Sequence, residues 1–257
     1  MTKSMHHLDI HFTLPHLRTV ETGRPLVWLK MGWEDMRDNL MASLSYGLIF
    51  AGAGYLILAY ASDLPYLFTA AISGFFLIAP VAAAGLYEIS RRHEKGMPTT
   101  FFESFHGLRG HGDSLFYFGA VLALSLIGWE RISAILFALF YHDSVPSMSH
   151  FYREVFFSGD YLHFVVAYLF IGGILATAVY CLSAISVPML MDRDADVVTA
   201  MMTSARAVGH NLSAMLLWAA LLVALMAVGF ATMMIGMIFL LPLAGHATWH
   251  AYKDLVE

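Results

Sequence analysis

Forty consecutive residues, Asn211 to His250, pass without one Asp, Glu, Lys or Arg. A run of that length has room for two membrane crossings at ~20 residues each. Gly229, near its middle, marks the expected turn, so the stretch reads as a tight helical hairpin. Before it, Val198, Met201, Met202, Ala205 and Val208 share one face of a helix expected to lie along a membrane surface.

Composition agrees with that hairpin. Of 257 residues, 59% are hydrophobic and 13% charged, and mean hydropathy is +0.67, where soluble domains carry ~25% charged residues. The chain reads as an integral membrane protein whose first partner is the lipid bilayer. A net charge of -5, with Lys and Arg clustered locally, points away from nucleic acid. The one cysteine, Cys181, lies in an apolar run and cannot form an internal disulfide. No nucleophile elbow, P-loop or dinucleotide fingerprint is present, so the sequence requires no cofactor and offers an enzyme little support.

The expected fold is all-α and polytopic. Six transmembrane helices are predicted, as three hairpins, at Leu40–Ala61, Tyr66–Tyr87, Ser114–Phe140, Leu162–Met191, Asn211–Val228 and Ala231–Ala251. A cytoplasmic amphipathic surface helix precedes each hairpin. Twelve of the 14 Lys and Arg then fall on one side, with only Arg131 and Arg153 on the other. The positive-inside rule puts both termini in the cytoplasm and the Tyr141–Tyr161 loop outside. Residues 1–25, which include His6, His7, His11 and His16, lack a signal-peptide core and are expected to form a mobile cytoplasmic tail. Residues 26–257 are expected to form one six-helix domain.

That domain reads as an internal repeat with units at about 26–95, 99–196 and 197–257. Asp38-Asn39-Leu40-Met41-Ala42-Ser43-Leu44 parallels His210-Asn211-Leu212-Ser213-Ala214-Met215-Leu216. Gly110-His111-Gly112-Asp113-Ser114 is the third counterpart, and Leu26, Leu29, Trp33 and Met36 form the apolar face of the first surface helix. Asn39, Asp113 or Asn211 can satisfy backbone groups where the chain turns into the bilayer. Pro80, Pro188 and Pro242 each sit near the cytoplasmic end of a second hairpin helix. Three bends facing a common centre would line a cavity.

Trp28-Leu29, Gly32-Trp33-x-Asp35, Pro80 with Gly85-Leu86-Tyr87-Glu88-x-Ser90-Arg91-Arg92, Pro188-x-Leu190-x-Asp192-Arg193 and Gly245-His246-Ala247-Thr248-Trp249-His250-Ala251-Tyr252 carry a family resemblance. From Trp28 onward the chain resembles an uncharacterised family of bacterial integral membrane proteins, domain of unknown function 2189. The resemblance implies the cell inner membrane and no established activity. Some members are labelled cytochrome c oxidase subunit I, which implies at most a respiratory association. A haem-copper catalytic subunit resembles a protein with about twice as many spans and paired mid-membrane histidines.

His246 and His250, at i and i+4, could share a metal if His210, Glu88 or Asp192 supplied a third ligand. Alternatively, His246, Trp249, His250 and Tyr252 form an interfacial belt or pack internally. Haem ligation with His210 or His111 is a weaker reading. Glu88 lies three and four residues from Arg91 and Arg92, close enough to pair. Glu130 and Arg131 interrupt an apolar run: they are buried charges if one helix continues through them. If the span ends at Trp129, Ile132–Phe140 is an outer surface helix, and that reading is preferred. His142, His150, His163, Asp143, Glu154 and Asp160 match no compact metal motif and read as loop decoration.

The favoured function is a non-catalytic accessory, assembly or interaction partner of a larger membrane complex, respiratory in the reading that follows from the resemblance. A small carrier for a lipid, metal or hydrophobic solute is the alternative. A haem- or metal-bearing redox protein using His246 and His250 is the third.

Overall fold

The computed structural model describes residues 14–61, 83–140, 159 and 161–257. Its helices are α1 (Arg24–Asp38), α2 (Leu40–Ala61), α3 (residues 83–94), α4 (Phe101–Gly107), α5 (Gly112–Phe140), α6 (Leu162–Ser183), α7 (Ser186–Asp192), α8 (Val197–His210), α9 (Leu212–Ala231) and α10 (Met237–Leu255). A 3-10 turn over Leu108–His111 joins α4 to α5. Among the described residues the only extended pairing is an isolated bridge between Leu17 and Val256.

Among the described residues, three stretches are long and apolar enough to cross a membrane: Phe101–Phe140, Leu162–Asp192 and Leu212–Ala231. Leu40–Leu56 is a shorter apolar helix. Most of the expected span at Tyr66–Tyr87, with Pro80, lies outside the described residues. Residues 1–13, Arg153 and most of the Tyr141–Tyr161 loop, including His142, Asp143, His150, Glu154 and Asp160, do so too.

Two compact units make up the chain, Met1–Ala120 with Cys181–Glu257, and Val121–Tyr180. In the second, Trp129 meets Tyr168 edge-on at 4.8 Å. Ser133 donates to Tyr168 (3.1 Å) and Phe137 meets Phe164 at 6.1 Å. The falling partner numbers show α5 and α6 running antiparallel. α5 continues unbroken through Glu130 and Arg131, so the expected break after Trp129 and the separate outer helix from Ile132 are corrected. Its 29 residues give ~43 Å of helix, longer than a ~30 Å hydrocarbon layer.

In the first unit, α10 is the organising helix, with every residue from Ala244 to Tyr252 buried. Gly32 and Gly47 let it lie against α1 and α2. A Cβ on Gly32 would sit 2.6 Å from Ala247 N, and one on Gly47 would strike the Ile238 carbonyl. The turn into α10 falls after Thr232 and not at Gly229. Gly229 stays in α9, where a Cβ would meet Met237 Sδ at 2.6 Å. The chain reverses through Met233 and Met234 at φ 50° and 71°.

The helices expected at the surface divide their apolar residues between two sides. α1 turns Trp28, Gly32, Asp35 and Met36 inward and leaves Leu26 and Trp33 exposed, so Met36 does not share the outer face expected for it. α8 likewise buries Val208 and exposes Val198 and Met202. Both helices end at an asparagine with matching backbone angles: φ −124°, ψ 41° at Asn39 and φ −120°, ψ 43° at Asn211. Each side-chain amide donates to the carbonyl four residues earlier, Asn39 to Asp35 (3.1 Å) and Asn211 to Ala207 (3.4 Å). The helical ladder is thus bridged across each bend.

Of the expected tail, the described part is fastened down. Arg18 N donates to Leu255 O and Glu257 N to His16 O, each at 3.0 Å. Asn211 accepts from Val20 N (2.8 Å) and donates to Arg18 O (2.9 Å).

Candidate functional site

Asp35 lies on the inward face of α1 and is 6% exposed. Its carboxylate is held from two other helices. Ser90 of α3 donates to Oδ2 (2.6 Å), His250 Nε2 of α10 is 2.9 Å from the same oxygen, and His93 Nδ1 of α3 is 2.9 Å from Oδ1. Burial pushes Asp35 upward, but the hydrogen bonds from His250 and Ser90, the field of His250 and the bond from His93 outweigh it and bring it down to about 2. Hydrogen bonds to the charged form favour that form.

The hydrogen-bond chain continues through Ser90. Its Oγ is 2.7 Å from His246 Nδ1, and His246 Nε2 is 2.9 Å from Ser43 Oγ. Because the Ser90 hydrogen points to Asp35, His246 Nδ1 must be the donor to Ser90. In neutral His246, Nε2 then accepts from Ser43. Asn39 O also lies 2.9 Å from Ser43 Oγ, so the single hydroxyl hydrogen of Ser43 is shared between that carbonyl and His246 Nε2. Ser43 and His246 stand at the spacing of a nucleophile and its base, yet both are fully buried. Chemically the arrangement is a clasp that joins α1, α2, α3 and α10.

The neighbouring carboxylates have permanent cations. Glu88, also fully buried, accepts from Arg91 Nε (2.7 Å) and Arg92 Nε (2.9 Å). Asp254 accepts from Arg24 Nε (2.5 Å) and Trp28 Nε1 (2.7 Å). Burial raises Asp254, and the bonds from Arg24 and Trp28 lower it further than burial raises it. Asp192 accepts from Tyr252 (3.0 Å) and Lys253 (3.3 Å). Asp35 differs in kind: its carboxylate partners among the described residues are histidines and a serine.

Of the candidate metal ligands, His246 and His250 meet in this cluster and His210 does not. His210 Nε2 faces Thr19 Oγ1 at 2.9 Å. Glu88 and Asp192 are occupied as above. Among the described residues, no group of three or more His, Cys, Asp or Glu side chains is arranged to hold a metal ion. His246, Trp249, His250 and Tyr252 are all under 9% exposed, so they pack inside the protein and form no interfacial belt. Glu130 is half-buried and Arg131 exposed. Sequence pattern does not single out Asp35, Ser43, Ser90 and His93 as a group. One signal exists: Asp35 shares a helix face with Trp28, Gly32 and Met36, an acid where only apolar groups belong.

Apolar helices of crossing length, joined to polar groups that pair internally, define a helical integral membrane protein. Comparison adds a partial family likeness. The family model described as a predicted integral membrane protein, DUF2189, matches residues 67–192. Gly85 to Arg92 and Pro188 to Asp192 fall inside that stretch. Neither the curated proteins nor the solved structures contain a match.

Proposed function

We propose that this protein works by contact, as a non-catalytic accessory or assembly partner of a larger membrane complex in the inner membrane, with both termini cytoplasmic. The observation that carries the reading is the sealed chain from Asp35 through Ser90 and His246 to Ser43, each link under 3.0 Å. Every polar side chain in it is consumed by another, which favours a rigid body over a site that turns over substrate. The matched bends at Asn39 and Asn211 support a repeat of surface helix plus hairpin. A respiratory partner is the expectation that follows from the family resemblance.

Purification at native expression in mild detergent, with mass spectrometry of what co-elutes, tests this. A partner protein in constant ratio is expected. Recovery of this chain alone, across several detergents, contradicts the proposal.

A further inference from the structure

Each of the three surface helices ends on an exposed pair of the same kind, an apolar side chain followed four residues later by arginine. The pairs are Trp33 and Arg37 in α1, Phe105 and Arg109 from α4 into the 3-10 turn, and Met202 and Arg206 in α8. Trp33 and Phe105 are each 52% exposed and Met202 is 43% exposed. Residues four apart on an α-helix are neighbours, so the pairs on α1 and α8 each make one patch; Phe105 and Arg109 follow each other where α4 tightens into the 3-10 turn.

The patches extend as stripes. Phe102, Phe105, His106 and Arg109 are exposed along one side of α4, and Val198, Met202, Arg206 and His210 along one side of α8; neither stripe includes an acid. On α1, Leu26 and Lys30 extend the stripe, with Glu34 and Asp38 at its edge, and Arg37 Nε is 3.4 Å from Asp38 Oδ1. The opposite sides are filled: Gly32 receives Ala247, Gly107 receives Glu88, and Ser204 accepts from Ile185 N (3.3 Å). The stripes are therefore the faces left over.

Their place along the chain fixes what covers them. Within a few residues of its arginine, each surface helix passes into a long apolar helix: α1 into α2 at Asn39, α4 into α5 at Gly112, α8 into α9 at Asn211. Exposed apolar residues continue past the bends, as Met41 (81%) and Leu212 (56%). A cation beside an apolar side chain at such a boundary matches a phosphate above an acyl chain.

We infer that the outer stripes of α1, α4 and α8 form a collar that binds anionic phospholipid, with Arg37, Arg109 and Arg206 on the headgroup phosphates and Trp33, Phe105 and Met202 among the upper acyl chains. The more obvious basic cluster, Arg91 and Arg92, shares the one carboxylate of Glu88, and both side chains are only 20% exposed. Anionic surfaces attract such residues within a Debye length, so the binding weakens in salt.

The test compares nanodiscs of phosphatidylcholine with nanodiscs of equal parts phosphatidylcholine and phosphatidylglycerol, reading the thermal unfolding midpoint of the full chain. The wild type is expected to melt several degrees higher in the anionic discs, and the gain to shrink in high salt. Arg37→Gln, Arg109→Gln and Arg206→Gln combined should remove the gain while leaving the midpoint in phosphatidylcholine unchanged. Arg18→Gln with Lys95→Gln, off the stripes, should preserve it. No gain in the wild type, an undiminished gain in the triple variant, or equal loss in the control overturns the collar.

Discussion

His250 Nε2 and Asp35 Oδ2 stand 2.9 Å apart across 215 positions of sequence, tying α10 to α1. Ser90 and His93 bring α3 to the same carboxylate. Asp35→Ala leaves the buried donors Ser90 and His250, and the exposed His93, without their acceptor, and breaking such a site costs ~3 kcal/mol or more. Asp35→Asn keeps one acceptor and is expected to lose less. Unfolding in detergent, followed by tryptophan fluorescence, checks both; a change within ~0.5 kcal/mol for Asp35→Ala would deny the clasp.

The same carboxylate sets an acid limb. Its folded value is about 2 against an ordinary 3.8, so the folded protein prefers it ionised. That preference adds stability above pH ~4 and is lost as pH falls toward 2, in all about 2 kcal/mol. Asp254, lowered beside Arg24, contributes with the same sign. Asp35→Asn should flatten part of this limb, and an acid titration of the midpoint that superimposes on wild type would contradict the assignment.

Asn211 clasps the segment before α1 through Val20 N and Arg18 O. In Asn211→Ala, the Val20 amide should exchange hydrogen at least ~10-fold faster, the loss of roughly one hydrogen bond. Unchanged exchange at Val20 would show that the terminal bridge of Leu17 with Val256 holds the segment unaided.

Glycines separate by what faces them. Gly32→Ala drives a methyl into the Ala247 backbone and should destabilise by ~1–3 kcal/mol. Gly52, where an added Cβ would meet nothing within 4 Å, should accept alanine with no loss or a gain of ~0.5–1 kcal/mol. Midpoints for the two variants decide this, and equal losses would be inconsistent with close approach of α1 and α10.

The membrane class is legible in the sequence because uncharged apolar runs have few other uses, and Asn39 and Asn211 are visible as bends because each follows an amphipathic run. The Asp35 cluster is not, since its partners lie 55, 58 and 215 positions away and only packing joins them. Gly229 misleads for a related reason. A glycine suggests a turn through its backbone freedom, but this one is needed for the approach of Met237, and Met233 and Met234 make the turn. His246 and His250 are legible as a pair, while the identity of what they face is not.

Metal content with an absorption spectrum, taken on protein purified from its native membrane, tests the central claim most directly. With His246 engaged at both nitrogens and His250 Nε2 on Asp35, the prediction is a colourless protein with substoichiometric iron, copper and zinc. A haem band, or one equivalent of metal per chain that is lost in His246→Ala or His250→Ala, would contradict it and make this cluster a cofactor site.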